Sequence, residues 1–267
     1  MKRVRLAVRR WKRLLRLLPA FPLESALALW REGNRSGQSP DGQGAVQTVR
    51  ARGVSVPIHY RPGTSDANVL VQVFQYRQYA NMLGRQDVRY IIDCGANIGA
   101  ASLFLLDRYP EAELIAVEPD AGNMAICRKN LAAFGSRVRF VEAGIWSSDV
   151  GLMVERGTHG DGQEWSFQVR ACRHGEKAEA RGVSIGSLVR EHAFPRIDLL
   201  KMDIERSELE VFEHGNLAWL RQTQLLAIEL HDRECRVAYR RAVANIPHRE
   251  RDRGEVTVAE FLDSSGH

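Results

Sequence analysis

The sequence predicts an α/β protein whose mostly parallel sheet is covered by helices on both faces, and three observations lead to this fold class. From about residue 88 onward, apolar strand-like segments alternate with helical segments. A turn with two glycines, at 93–99, follows the first of these strands and opens a helix. Polar residues collect where two late strands end, which is where a parallel sheet forms its ligand crevice.

The elements follow in order along the chain. A β-hairpin over 45–62 and a helix over 69–83 come first. The alternating part has predicted strands at 88–93, 112–118, 137–143, 197–203 and 225–231, with helices at 98–108, 120–134 and 205–214. A polar insertion with the strand-like segment 165–171 interrupts this alternation, and a helix near 236–245 and a hairpin over 248–261 complete the chain.

The N-terminal arm differs from the rest in charge. Residues 1–18 carry eight Lys or Arg and no acid, so removing them from the formal charge of +5 leaves the remainder at −3. Apolar residues recur at spacings of three and four, which predicts an amphipathic helix that Pro19 ends. We expect peripheral contact of this helix with an anionic membrane, the alternative being that its apolar stripe docks on the domain or on a second subunit, and no nucleic-acid surface on the core.

Domain limits and compartment follow from composition. The Gly-, Ser- and Gln-rich segment 33–44 predicts a linker, so 1–44 form the basic arm and linker and 45–267 the domain. The longest uncharged run, Cys94–Leu106, is 13 residues, too short to cross a bilayer. No cleaved signal peptide is expected, and four widely spaced cysteines predict a reducing cytoplasm and neither a zinc site nor a redox motif.

The glycine turn has the spacing D-x-G-x-N-x-G, which is not a P-loop and disfavours a nicotinamide site. Gly95 and Gly99 are expected to let the backbone approach a ligand. Glu118, 25 residues beyond Asp93 at the end of the next strand, is placed to accept hydrogen bonds from ribose hydroxyls. Because Asp93 would repel a phosphate and suits an ammonium, the pattern favours S-adenosylmethionine as the ligand.

Linked motifs then give a specific resemblance. The segments "DCGANIGAASL", "AVEPD", "EAGIW", "IDLLKMDIERSELEVF" and "IELHD", with "YRPGTSD" ahead of them, resemble the FkbM-type methyltransferases over about 45–235. The resemblance implies a class I, Rossmann-like methyltransferase fold and S-adenosylmethionine-dependent O-methylation of a natural product or saccharide. The predicted cofactor-binding residues are Asp93, Gly95, Asn97, Gly99, Glu118, Pro119, Asp120, Glu142 and Ile145. Arg206 stands where the family usually has glycine.

Polar residues at the late strands supply the candidate catalytic groups. Lys201, Asp203 and Glu205 share one strand parity, as do Glu229 and His231. We predict that His231 acts as the general base, with Asp203, Glu205 and Lys201 around the acceptor. The alternatives are mutual neutralisation, with Lys201 paired and Asp203 capping a helix, or a divalent cation held by these groups; no metal ligand is assigned.

Other functions stay open from sequence alone. Methylation of nitrogen or of a macromolecule is one alternative, and a non-catalytic cofactor-binding protein whose acceptor site Arg206 blocks is another. Trp146 suits either the adenine pocket or the core. The polar insertion, with His159, Asp161 and Glu164, predicts a solvated loop or, less in keeping with its composition, a substrate lid. The sequence names no acceptor and no oligomeric state.

Overall fold

The computed structural model describes residues 11–33, 45–80, 84–155 and 168–262. The strands in these residues are, in chain order, β1 (Gln47–Val49), β2 (Ile58–Tyr60), β3 (Tyr90–Cys94), β4 (Glu113–Val117), β5 (Val138–Val141), β6 (Ala143–Ile145), β7 (Gly151–Glu155), β8 (Gln168–Ala171), β9 (Ala180–Val183), β10 (Ile197–Met202), β11 (Thr223–Glu229), β12 (His248–Arg253) and β13 (Val256–Phe261).

The first helix of the described residues is described over 11–17. The helices in these residues are α1 (11–17), α2 (Leu23–Glu32), α3 (Asp66–Leu70), α4 (Ala100–Arg108), α5 (Ala121–Leu131), α6 (Ile185–Glu191), α7 (Ser207–His214) and α8 (Arg233–Val243). A π-helical turn at Val71–Gln75 and 3₁₀ turns at Ala132–Arg137 and Leu217–Gln222 extend or connect them. The predicted helix over 69–83 is thus shorter, because Arg77 has a left-handed φ of 51° that ends it; 81–83 lie outside the described residues.

The central sheet has the strand order β12-β13-β11-β10-β3-β4-β5. Strand β10 pairs in parallel with both β3 and β11, and β13 is antiparallel to its neighbours. The chain therefore builds outward from β3 in one direction and from β10 in the other, which opens a crevice between their carboxyl ends. This topology confirms the predicted class I, Rossmann-like α/β fold.

Each face of the sheet has its own core, because successive strand side chains point to opposite faces. Ile91 of β3 packs with the core that also contains α4 and α5, whereas Ile92 packs with the core under α6, α7 and α8. Both side chains are fully buried. The expectation of helices on both faces is confirmed.

Two smaller sheets complete the fold. Strands β1 and β2 form the predicted antiparallel hairpin, and β6, β9, β7 and β8 form a four-stranded sheet beside the crevice. The terminal hairpin predicted over 248–261 is present as β12 and β13, and it extends the central sheet through β11. Residues 156–167 of the polar insertion, including His159, Asp161 and Glu164, lie outside the described residues.

The described part of the N-terminal arm packs on the domain. Leu14, Leu17 and Phe21 are buried in the first core, whereas Trp11 and Leu15 are each 62% exposed. Ser25 Oγ accepts a hydrogen bond from the Arg50 N–H at 2.8 Å. The division at residue 45 stays a prediction, as does peripheral membrane contact. No helix in the described residues is long and apolar enough to cross a membrane.

Candidate active site

A cavity of about 420 Å³ opens at the carboxyl ends of β3, β4, β10 and β11. We distinguish two ends by their residues. The turn end is lined by Gly95, Asn97, Glu118, Pro119, Asn123, Gly144 and Ile145. The carboxylate end is lined by Gln78, Tyr79, Lys201, Asp203, Glu205, Glu229 and His231. The fold thus brings residues as distant in sequence as Gly95 and Asp203, 108 positions apart, to one cavity.

The glycines of the turn are needed for packing within the protein. Both have left-handed φ values, 76° at Gly95 and 80° at Gly99. A Cβ on Gly95 would overlap the carbonyl oxygen of Asp203, and a Cβ on Gly99 would lie 2.9 Å from Cys127 Sγ. The missing side chains therefore make room for other protein atoms. Gly95 also lines the cavity, and close approach of its backbone to a ligand stays a prediction.

Glu118 is the central acid of the turn end. Only 6% of it is exposed, and it accepts hydrogen bonds from the N–H groups of Asn97 (2.9 Å) and Asp120 (3.0 Å) and from Asn123 Nδ2 (3.3 Å). Burial raises its pKa to about 7, even though these hydrogen bonds favour the charged form. Three of about four acceptor positions on the carboxylate are used, which leaves one directed at the cavity for a ligand.

Residues of the lead-in segment hold Glu118 indirectly. Arg61 forms a two-point ion pair with the fully buried Asp66, through Nε–Oδ2 at 3.0 Å and Nη2–Oδ1 at 2.8 Å. The same Nη2 donates to Asn123 Oδ1 at 2.6 Å, and Asn123 in turn donates to Glu118. The "YRPGTSD" motif therefore holds Glu118 in place through Asn123. The motif lies far from Glu118 in the sequence, so this role could not be predicted from it.

Lys201 and Asp93 form a buried pair below the cavity. Lys201 Nζ lies 3.2 Å from Asp93 Oδ1 and donates to the Gly95 carbonyl at 2.6 Å, and Ser102 Oγ donates to Asp93 Oδ2 at 2.6 Å. Burial alone would lower the pKa of Lys201, but the charges of Asp93 and Asp203 outweigh it and raise that pKa. Asp93 is fully buried and does not line the cavity, contrary to the expectation that it faces an ammonium of the ligand.

At the carboxylate end, His231 lies among three acids. Its Nε2 is 3.7 Å from Asp203 Oδ1 and 3.5 Å from Glu205 Oε2. Its Nδ1 is 3.2 Å from Glu208 Oε1, an ion-pair contact whose angle falls short of a hydrogen bond. Glu229 adds a fourth carboxylate, which accepts a hydrogen bond from Gln78 Nε2 at 3.3 Å.

Protonation at this end departs from the ordinary values. Burial raises the pKa of Glu205 to about 8 and that of Glu229 to about 7. Burial opposes the charged form of His231, but contact with Glu208 and the charges of Asp203 and Glu205 dominate and raise its pKa to about 10. His231 was chosen as the base because an ordinary imidazole titrates near neutrality; in this setting the neighbouring acids favour the charged ring, which makes His231 a poorer proton acceptor near pH 7.

Several predicted residues lie elsewhere than expected. Asp93, Gly99, Asp120 and Glu142 do not line the cavity. Asp120 instead caps α5 by accepting from the Asn123 N–H at 2.8 Å, and Glu142 is exposed. Glu205 does not continue strand β10, because it lies in a turn with a φ of 51°. Asp203 does not cap α7, and Trp146 does not line the cavity.

Sequence reasoning missed three contributors, Glu208, Asn123 and Tyr79. Glu208 occupies the first turn of α7, where an acid is favoured by the helix dipole, and that position was its one local signal. Asn123 stands three residues after the cap residue Asp120. Tyr79 packs against Lys201, with Nζ 6.0 Å from the ring centroid, and burial raises the pKa of its hydroxyl.

Arg206 does not obstruct the cavity. Its φ of 74° lies in the left-handed region, which explains why glycine suits this position. The side chain is 41% exposed and forms ion pairs with Asp232 Oδ2 at 2.6 Å and Glu234 Oε2 at 3.0 Å. These pairs hold the guanidinium away from the residues that line the cavity.

The methyltransferase FkbM domain model matches residues 93–249, more than half of the chain. The protein belongs to this family, and its cofactor is S-adenosylmethionine. The cavity fits that group, since one end offers a backbone turn and a buried acid with acceptor capacity to spare, and the acid Asp203 lies where the two ends meet.

Among curated proteins, the chain is similar to the AMB antimetabolite synthetase AmbE of Pseudomonas aeruginosa, with 25% identity over 54% of this chain and 8% of the relative. It is also similar to the methyltransferase sdnD of Sordaria araneosa, with 27% identity over 46% of this chain and 59% of the relative. The chain thus spans less than two thirds of the length of these relatives. Among solved structures, a precorrin-6y C5,15-methyltransferase from Geobacter metallireducens has a TM-score of 0.41 and 13% identity, covering 72% of this chain and 88% of that one.

Proposed function

We propose that this protein is an S-adenosylmethionine-dependent O-methyltransferase that acts on a hydroxyl of a natural product or saccharide. The observation that carries the proposal is one continuous cavity that joins Glu118 at the turn end to Asp203 and Glu229 at the carboxylate end. A cofactor held at the first end directs its reactive group toward acids that can receive a hydroxyl at the second.

The cofactor supplies an electrophilic methyl group on a sulfonium when bound. Glu118 accepts a hydrogen bond from a ribose hydroxyl through its free acceptor position, while Ile145 and Val169 provide apolar contact for the adenine ring. The buried Lys201–Asp93 pair holds the Gly95 carbonyl and thereby fixes the turn beneath the cofactor. These residues bind and orient; none of them transfers a proton.

Glu229 is the proposed proton acceptor. It lines the cavity at the end of β11 and is hydrogen-bonded by the neutral amide of Gln78. Asp203 and Glu205, by contrast, face the Nε2 of His231. Asp203 lies at the junction of the two ends, since its carbonyl packs against Gly95, and it orients the hydroxyl toward the methyl group.

The relatives and the charge distribution support a small acceptor. The antimetabolite synthetase of Pseudomonas aeruginosa bears a name that refers to a small-molecule product, and the proposal transfers only that class to this chain. The net charge of −3 outside residues 1–18 gives no basic groove for a nucleic acid. Cavity walls that carry four acids fit a polyhydroxylated molecule better than an anionic one.

The test is methyl transfer to matched acceptors. Full-length protein with methyl-labelled S-adenosylmethionine would be offered polyhydroxylated natural products, glycosides and the corresponding amino analogues, with release of S-adenosylhomocysteine measured. Transfer to hydroxyl compounds supports the proposal. Transfer to amines alone would replace it with N-methylation, and cofactor binding with no release for any acceptor would favour a non-catalytic protein.

A companion variant tests the turn end. Glu118→Ala is expected to weaken S-adenosylhomocysteine binding in calorimetry by roughly 1 to 3 kcal/mol, because buried donors and a ribose hydroxyl lose their partner. The thermal transition of the variant shows whether it folds. Unchanged affinity in a folded variant would remove Glu118 from the cofactor site.

A further inference from the structure

We infer that Asp203, Glu205 and His231 form a binding site for one divalent cation of borderline character, of the Mn²⁺ type. This inference goes beyond the proposed function, and it concerns metal binding whatever the methyl acceptor is. One ligand atom from each residue, His231 Nε2, Asp203 Oδ1 and Glu205 Oε2, faces a common space, and donor atoms of the three lie within 4.8 Å of one another.

The spacing of the three donor atoms matches a coordinated cation. His231 Nε2 is 3.7 Å from Asp203 Oδ1 and 3.5 Å from Glu205 Oε2. A cation bound at about 2.1 Å to each atom holds neighbouring ligands roughly 3.0 to 3.4 Å apart. Small side-chain rotations therefore close the site without movement of the backbone, and the cavity leaves the remaining positions open to water or an acceptor oxygen.

Glu208 supplies an independent observation that points to a ligand. Its side chain is 0% exposed, its Oε1 accepts a hydrogen bond from the Ile204 N–H at 3.0 Å, and its Oε2 has no hydrogen-bond partner among the residues that the structure describes. Its Oε1 also lies 3.2 Å from His231 Nδ1, whereas Asp203 and Glu205 lie on the Nε2 side of the ring. A buried carboxylate behind the second ring nitrogen is the usual arrangement around a metal-bound histidine.

The charges of the side chains around His231 also favour a cation at this position. Three carboxylates, those of Asp203, Glu205 and Glu208, contact one imidazole, and Glu229 lines the same end of the cavity. Lys201 is shared between Asp93 (3.2 Å) and Asp203 (3.7 Å), and it forms no ion pair with Glu205, Glu208 or Glu229 among the described residues. Buried charges need compensation, and a divalent cation provides it at the point where three of the groups converge. One imidazole with two carboxylates favours Mn²⁺ over Mg²⁺, since nitrogen is a softer donor than oxygen.

The test is Mn²⁺ binding by full-length protein from which metal has been removed with a chelator. Free Mn²⁺ would be followed by electron paramagnetic resonance during titration, with and without S-adenosylhomocysteine. We expect one Mn²⁺ per chain at micromolar concentrations, with nitrogen coupling in pulsed spectra that identifies an imidazole ligand. Asp203→Asn and Glu205→Gln should each weaken binding at least about tenfold.

Two control variants distinguish a specific Mn²⁺ site from nonspecific binding of Mn²⁺ to acidic side chains. Glu229→Gln removes a carboxylate of the same end that is not a proposed ligand, and it should leave Mn²⁺ affinity within about threefold. His231→Ala should abolish the nitrogen coupling, and S-adenosylhomocysteine binding shows that the variant is folded. Binding weaker than about 1 mM in the wild type, or equal binding in Asp203→Asn and Glu205→Gln, would overturn the inference. Cofactor binding and methyl transfer are read separately, so failure of this site is distinguishable from failure of the proposed function.

Discussion

At the turn end of the cavity one buried carboxylate meets three N–H donors, whereas at the carboxylate end three carboxylates contact one imidazole. Two of the donors to Glu118 are backbone groups, so the main chain itself fixes that acid. The acids around His231 depend on side-chain charges. The fold therefore preorganises the turn end, whereas the charges of the carboxylate end are balanced only when a ligand binds there.

The largest expected effect is confined to the carboxylate end. Glu229→Gln keeps the shape of the side chain but removes its capacity to accept a proton, so methyl transfer should fall by about 10² to 10⁴. S-adenosylhomocysteine affinity should stay within about twofold, because Glu229 lies away from Glu118. Single-turnover rates and calorimetry measure the two quantities. A rate within about threefold of wild type would exclude Glu229 as the proton acceptor.

A second change should affect both ends at once. Gly95→Ala places a Cβ against the carbonyl of Asp203 at a φ of 76°, and Gly53→Ala has the same φ with nothing within 4 Å. We expect Gly95→Ala to lower the free energy of unfolding by at least about 3 kcal/mol, and Gly53→Ala by about 1 kcal/mol from backbone strain alone. Urea titrations measure both. Equal losses would show that the contact between turn and strand is unimportant.

The pH dependence of cofactor affinity tests the turn end alone. The pKa of Glu118 is raised to about 7 by burial, so the free protein binds a proton there below that pH. Ribose hydroxyls donate to the ionised form, and affinity should therefore rise with pH up to about 7 and then level off. Calorimetry should give binding about tenfold weaker at pH 6 than at pH 8. The affinity of Glu118→Gln, whose side chain cannot titrate, should not rise with pH in this way. If affinity depends on pH equally in both proteins, groups other than Glu118 cause the dependence.

The smallest effect is expected where neither end is touched. Arg206→Gly relieves a left-handed φ of 74° but removes exposed ion pairs with Asp232 and Glu234. Because strain of about 1 kcal/mol and weak surface pairs offset each other, the free energy of unfolding should change by less than about 1 kcal/mol. Transfer rates should stay within about twofold. A rate increase above about tenfold would mean that Arg206 obstructs the acceptor after all.

Local patterns were sufficient to predict the sheet and the turn. Alternation of strands and helices gave β3, β4, β5, β10 and β11, and strand parity placed Lys201 and Asp203 on one side. The prediction that Glu205 continues the strand was wrong, because a turn with left-handed φ begins at this residue. Without a glycine, the sequence does not indicate a left-handed φ. The prediction of cofactor residues from spacing likewise could not separate Asp93, which the fold buries, from Glu118, which it leaves at the cavity.

Properties set by tertiary contacts could not be predicted. Glu208 is one acid of a helix in the sequence, and only the tertiary fold puts it 3.2 Å from His231, which follows the end of β11. That contact changes the protonation of the ring and removes the reason for choosing it as a base. The role of Arg61 in holding Asn123, 62 residues away, also has no local signature. Charge balance in a buried group depends on all its neighbours at once.

The contact between the Gly95 turn and the Asp203 carbonyl couples the turn end of the cavity to the carboxylate end. Lys201 adds to this continuity, since one ammonium donates to the Gly95 carbonyl at 2.6 Å and lies 3.7 Å from the carboxylate of Asp203. A ligand that shifts the turn therefore shifts Asp203, and a ligand that shifts Asp203 shifts the turn. Reciprocity then requires cofactor and acceptor to change each other's affinity by the same factor, whichever of them binds first.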